Sequence, residues 1–381
     1  MKQSRPKPQW GLLSITILLA LGGVILRIWL TFDFSNSSVD PFRTVLSFFV
    51  GTAGLIAGYL IDYSFGAKHI RGMYIIILLL SVYFLIFSPK PMGFPFHIQY
   101  IVLFFPILYA FWLYACRGKG WKGLLVAIAG EMPLMVICCI ANYTLGGLLV
   151  LASGFVLLLF ACLLNWFSIG RLKSVTLLVG YVGAITGILV YRAIRSEQLL
   201  YRIETAIHPE TDPLGLGYYG TTIRRVLALS KWIGEGTWNG SISQYPFDRY
   251  LLHSSNDAFL TTVIFKLGWI PFFVIILVFV ALVVWIMHRM IQQKSQLGRL
   301  VVIAVVMTLL VQLFFSLMYT LGITLLGAFF PLLTGNVNMV INMALIGLAL
   351  SVFREDSIAQ NKQPLRDTFI KSGDLDRPVY E

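Results

Sequence analysis

Charge is what this sequence has least of. Only 12% of its residues are Asp, Glu, Lys or Arg, against about a quarter in an ordinary soluble domain. That scarcity excludes a water-soluble globule. Cysteine is also sparse: Cys116, Cys138, Cys139 and Cys162 lie in or beside apolar runs. Their spacing fits no metal module, and adjacent Cys138 and Cys139 are poor disulfide partners on a helix. All four therefore read as small buried residues. The first apolar run is not followed by a small-residue cleavage site, so it is no typical cleavable signal. Nor is there an internal repeat of the kind that marks many transporters.

What is present is hydrocarbon. The residues are 58% hydrophobic and the mean hydropathy is +0.81. A bilayer-crossing helix takes about 20 apolar residues, and the sequence offers about ten such runs. Their cores fall near 11–30, 44–61, 72–87, 99–115, 123–140, 145–166, 174–191, 258–285, 300–320 and 337–353. The expected fold is an all-α, polytopic integral membrane protein with one large extracytoplasmic loop between helices 7 and 8. Residues 1–353 form the membrane domain, the outer loop covers about 192–256, and 354–381 form a polar cytoplasmic tail expected to be loosely ordered.

Basic residues set the orientation. The N-terminus carries Lys2, Arg5 and Lys7. Alternate loops then carry Lys68 and Arg71, then Arg117, Lys119 and Lys122, then Arg171 and Lys173, then Arg289, Lys294 and Arg299. The short loops between them hold only Arg43 and Lys90. Both termini are thus expected in the cytoplasm. The net charge of +12 reflects this bias and attraction to anionic lipid heads rather than nucleic acid. Gly51, Gly54 and Gly58 on one helix, and Gly183 and Gly187 on another, read as close helix–helix packing.

The outer loop is the one long connection, and long connections are usually functional or disordered. Its Leu, Ile, Tyr and Trp content argues against disorder. Residues 192–207 read as an amphipathic helix on the membrane surface, with Leu199, Leu200, Ile203 and Ile207 at helical spacing. "HPETDPLGLGYYG" breaks it, and a second helix is expected from Thr222 to Trp232. Arg202, Arg224, Arg225 and Arg249 suit the diphosphate of a lipid-linked substrate, for which Arg offers a bidentate fork. Lipid phosphates would suit them equally well.

After the loop comes "HSSNDAFL", residues 253–260. Locally this is a helix start, where Asp257 is favoured as an N-cap and by the helix dipole. His253 is placed to share a proton with Asp257. Lys266, two turns into the following apolar helix, is expected to face a partner or cavity, or to snorkel. Tyr218 is a candidate for stacking on sugar.

The order of these signals resembles the FtsW/RodA/SpoVE family, the SEDS polymerases of the cell wall. The family's P-x-x-D-P-x-G-x-G-Y-Q is matched at Pro209, Asp212, Pro213, Gly215, Gly217 and Tyr218, with Tyr219 in place of Gln. Its G-K-G resembles Gly234-Glu235-Gly236. Its H-T-D-F-I-F-A-x-x-x-E-E-L-G becomes "SNDAFLTTVIFKLG", keeping Asp257 and Gly268. "ANYTLGGLLVL" is similar to Q-P-D-L-G-T-A-L-V-L.

The resemblance implies a glycosyltransferase that polymerises lipid II outside the cytoplasmic membrane beside a class B penicillin-binding protein. Asp257 stands at the family's essential acid. A carboxylate there would take the proton of the attacking sugar hydroxyl. No organic cofactor is implied, and a divalent cation is left open beside the arginines.

Three departures accompany the match. The P-F-x-S-Y-G-G part of the loop before the last helix is missing after "PLLTGN". Gln99 and Val102 replace the Glu and Lys of Q-P-S-E-x-x-K. The E-E pair is lost, with Lys266 in its region. They leave a noncatalytic relative, acting as scaffold or regulator, and a lipid-linked sugar transporter as alternatives.

Overall fold

The computed structural model describes residues 10–33, 41–87, 98–141, 143–237, 258–326, 330–333 and 337–371. These are helical, without a strand among the described residues. In chain order they form α1 (Trp10–Asp33), α2 (Pro41–Leu60), α3 (Tyr63–Lys68), α4 (Ile70–Phe87), α5 (Ile98–Val102), α6 (Phe105–Ala115), α7 (Gly120–Ile140) and α8 (Thr144–Leu163). Then follow α9 (Arg171–Arg195), α10 (Glu197–Ile207), a short 3-10 turn (Pro209–Thr211), α11 (Tyr218–Leu229), α12 (Phe259–Leu267), α13 (Trp269–Ile291), α14 (Gln296–Thr320) and α15 (Val337–Lys371).

Eight of the described helices are long and apolar enough to cross a membrane, and two shorter apolar segments, Ile70–Phe84 and Tyr100–Ala115, join them. The chain is an all-α, multi-pass membrane protein. The centre is formed by α14 and α15, whose apolar windows are 67% and 72% buried, against 11% for α9 at the periphery. Deep in the bundle, Gln312 of α14 and Asn342 of α15 exchange two amide hydrogen bonds of 2.9 and 3.0 Å. Gln312 Nε2 also donates to Thr308 O at 3.1 Å, and the reciprocal pair satisfies both amides in hydrocarbon and fixes the two helices in register.

The two glycine stripes behave differently. On α2, Gly51 faces Met343, and Gly58 presses on the backbone of Ala344 and Leu348, while Gly347 presses on Leu55. These contacts draw α2 and α15 together as the spacing predicts. On α9, Gly183 and Gly187 meet nothing within 4 Å. They line an apolar groove of about 490 Å³ with Phe155 and Val190, and no helix among the described residues packs on them. Spacing alone cannot distinguish a helix-facing stripe from a lipid-facing one.

Other boundaries also shift. The eighth apolar run is two helices, α12 and α13, broken at Gly268 with φ 101°. A Cβ there would strike the Trp232 carbonyl. The last helix continues to Lys371, through much of the tail expected to be loosely ordered. Of the cysteines, Cys116, Cys138 and Cys162 are buried, but Cys139 is exposed on the bundle exterior.

Candidate functional site

The outer loop begins with a capped helix. Ser196 Oγ accepts the Leu199 amide at 3.3 Å, which starts α10 at Glu197, later than the sequence pattern suggests. Satisfying an orphan N–H is what sets such a boundary. After α10, Asp212 organises the turn. Its carboxylate accepts the Gly215 amide at 3.0 Å and the Leu216 amide at 2.9 Å, and the Tyr201 hydroxyl. The Leu216 N–H first, and Tyr201 next, hold this carboxyl below the usual aspartate range. Gly217 lies against the Pro209 and Asp212 carbonyls, and Thr221 Oγ1 donates to Pro209 O at 3.1 Å. The D-P-x-G-x-G pattern thus builds one closed turn joining α10 to α11.

That turn docks on the outer end of α14. Gly220 presses on Pro209 and on the Gly322 carbonyl. Arg224 packs its stem on Gly322, donates to the Ile207 carbonyl at 2.6 Å and pairs with Glu210 at 3.1 Å. Ile223, Val226, Ala258, Phe265 and Tyr319 form a small buried cluster beneath. The start of α12 is therefore held between α11 and α14, and Thr261 Oγ1 donates to Thr320 O at 3.3 Å.

The candidate residues separate accordingly. Asp257, His253 and Arg249 lie outside the described residues. The N-cap of α12 is Ala258, one residue after the cap position read for Asp257. Arg224 is committed to Glu210 and Ile207, whereas Arg202 and Arg225 are exposed. Tyr218 is half-buried at the start of α11, its ring edge-on to Tyr219 at 5.6 Å. Val102 is fully buried. Among the described residues no cluster of three or more His, Cys, Asp or Glu side chains is placed to hold a metal.

Lys266 has a partner that the sequence did not reveal. Its Nζ lies 2.6 Å from Glu235 Oε1, the middle residue of Gly234-Glu235-Gly236. Residues 231–237 run as a strap across the α12–α13 break. The Gly234 and Gly236 amides donate to the Leu267 and Phe265 carbonyls, each at 2.8 Å. The Trp269 and Ile270 amides donate to the Lys231 and Trp232 carbonyls, each at 3.1 Å. The strap therefore satisfies the orphan ends of both helices. Where the family pattern has Lys in the loop and Glu near the end of the motif, this chain has Glu and Lys.

Two further features were missed. Glu131, in the middle of α7, is 1% exposed, with the Tyr181 hydroxyl 3.5 Å from Oε2 and no hydrogen-bond partner at Oε1. A carboxyl inside an apolar run is visible in sequence and marks a position worth testing. Phe330–Leu333 is non-helical yet buried. Phe330 packs on Phe279 with ring centroids 5.1 Å apart, about 15 Å down α13 from its outer end at 1.5 Å per residue.

No protein-family model matches the chain. It is 24% identical over 232 residues to a probable peptidoglycan glycosyltransferase FtsW of Trichlorobacter lovleyi (strain ATCC BAA-1151 / DSM 17278 / SZ), covering 59% of this chain. The match spans only 58% of that curated relative's length. The fold matches a chain solved in work on the structural coordination of polymerization and crosslinking by a peptidoglycan synthase complex, with a TM-score of 0.70 and 14% identity, over 92% of this chain and 98% of that one. The loop motifs and the sequence relationship thus resemble those of the FtsW/RodA/SpoVE family, and the fold is shared with a chain of a peptidoglycan synthase complex.

Proposed function

We propose that this protein takes part in peptidoglycan synthesis as a glycosyltransferase that polymerises lipid II at the outer face of the cytoplasmic membrane. The carrying observation is the closed turn of Pro209, Asp212, Gly215 and Gly217. It is docked against α12, which begins at Phe259, two residues after Asp257. In this reading Asp257 takes the proton of the attacking sugar hydroxyl, that oxygen bonds to the anomeric carbon, and the lipid diphosphate leaves with its electron pair. The diphosphate leaves without protonation, so a second carboxyl acid is unnecessary. Arg202 and Arg225, both exposed, are candidate cations of the described loop, with Arg249 as a third. The basic loops put both termini in the cytoplasm, and a class B penicillin-binding protein is the proposed partner.

A noncatalytic scaffold is the second reading. It is favoured by Arg224, whose guanidinium is already engaged by Glu210 and Ile207. Strand synthesis from lipid II by purified protein, with and without the partner transpeptidase, separates the two. Polymer from wild type and none from Asp257→Ala is the expected result. Equal polymer from both removes Asp257 from the mechanism. Lipid II binding without polymer under any pairing selects the scaffold. Translocation of a lipid-linked sugar across vesicles without polymer selects a transporter.

A further inference from the structure

The strap across the α12–α13 break leaves its two largest side chains outward. Trp232 is 67% exposed and Ile233 71% exposed. Two apolar side chains held this far open need a non-aqueous neighbour, and the height of the strap identifies it. Helices α13 and α14 have 23 and 25 residues. At 1.5 Å per residue they are about 35 and 38 Å long, each enough to cross a bilayer. They are joined at one end by the short turn 292–295, so their other ends, Trp269 and Thr320, reach the same membrane surface. The strap is hydrogen-bonded to the first two amides of α13, and α12 to the last residue of α14. Trp232 and Ile233 are therefore fixed at the membrane–water boundary.

The surface below them continues in kind. Ile270, Phe273, Val274 and Leu277 make an exposed apolar face at the top of α13, and the Ile270 amide is the one bonded to Trp232 O. Trp269 stacks on Phe273 with centroids 5.9 Å apart, an arrangement typical of the aromatic belt at the bilayer surface. Exposed Lys231 flanks the pair, where a cation meets lipid phosphate.

We infer that the strap Lys231–Thr237 is an outer-leaflet lipid anchor. Trp232 and Ile233 lie in the boundary between headgroups and acyl chains, and Lys231 lies at the phosphate level. Through Gly234, Gly236 and the Glu235–Lys266 pair, the anchor sets the height and tilt of α12. The proposal depends on the chain crossing a membrane and not on glycan polymerisation, so the two stand or fall separately.

The test uses the full chain in nanodiscs, after Cys139→Ala removes the exposed native thiol. Trp232→Cys, Ile233→Cys and Ala228→Cys each receive an environment-sensitive fluorophore. Ala228 is exposed on the Arg225 side of α11 and serves as the reference. Labels at 232 and 233 are expected to emit to the blue of the label at 228. They should be quenched by lipids carrying a doxyl group just below the glycerol, and lose most of the iodide quenching seen at 228. Strong iodide quenching at 232 and 233 with no lipid-borne quenching overturns the anchor. Shielding from both quenchers also overturns it, since the strap is then covered by protein. Monodisperse elution of each labelled protein excludes misfolding as the cause.

Discussion

The Glu235–Lys266 pair makes an asymmetric prediction. The ammonium and carboxylate are 2.6 Å apart, with the Lys side chain 11% exposed and the Glu side chain 58% exposed. Fully exposed pairs contribute about 0.2–1 kcal/mol. Breaking a fully buried one costs about 3–5 kcal/mol. With one partner on each side of that divide, a coupling near 1.5 kcal/mol follows. Lys266→Met leaves a carboxylate that water can reach and costs about 1 kcal/mol. Glu235→Gln removes the carboxylate from a largely buried ammonium and costs about 2 kcal/mol. The double variant then loses about 1.5 kcal/mol rather than 3. Steric-trap unfolding in bicelles measures all four corners of the cycle. The reciprocal exchange, Glu235→Lys with Lys266→Glu, should recover most of what either reversal alone removes. Additivity within about 0.3–0.5 kcal/mol, the range for uncoupled sites, would refute the pairing as a structural tie.

Three further outcomes follow from the packing. Asn342→Leu leaves Gln312 without its reciprocal amide in hydrocarbon and should cost about 1–3 kcal/mol by the same unfolding measurement, while Gln312→Leu with Asn342→Leu together should cost much less. Asp212 has its carboxyl held low by the Leu216 N–H and Tyr201. Its stabilisation is therefore complete above the ordinary aspartate range and lost as pH falls through its lowered folded value. Limited proteolysis of the outer loop should accelerate on that acid side, and Asp212→Asn should flatten the profile. Gly347→Leu forces side-chain atoms into the Leu55 backbone. It should separate α2 from α15 and abolish a disulfide trapped between cysteines introduced at 51 and 343, whereas Gly183→Leu, facing open space, should be tolerated.

What was legible in the sequence depended on how local its cause is. Hydrophobic runs report burial in lipid residue by residue, so the spans of α1, α7, α14 and α15 appear close to where hydropathy puts them. The stop after α10 is equally local, because "HPETDPLGLG" has both the prolines that end a helix and the glycines that turn the chain. Partnership is not local. Gly58 and Gly187 look alike in sequence, yet one meets Ala344 and the other meets nothing. The break at Gly268 arises from the Trp232 carbonyl, contributed from 36 positions earlier. Lys266 could be recognised as needing a partner in an apolar helix, but only the folded strap reveals Glu235. Glu131 is visible as a lone carboxyl inside the apolar run of α7, but its contact with Tyr181 comes from 50 positions later.

Two of the family departures acquire a physical account from these contacts. Glu235 of the Gly-x-Gly strap pairs with Lys266 at the end of α12. The Lys in the motif therefore has its counter-charge in the strap. In the stretch before the last helix, where the P-F-x-S-Y-G-G segment is absent, Phe330, Leu332 and Leu333 are packed into the bundle. The Leu333 backbone lies against Gly23 of α1. Leu332 is held at φ 72°, a conformation that a non-glycine residue keeps only when its surroundings fix it. Non-helical backbone at this depth is tolerated in a membrane protein when protein encloses it, and here α1 and α13 do so. The first contact ties the end of α12 to the strap, and the second ties the segment before the last helix to α1 and α13. Strand synthesis by Asp257→Ala is the measurement that bears directly on the proposed role of that carboxylate.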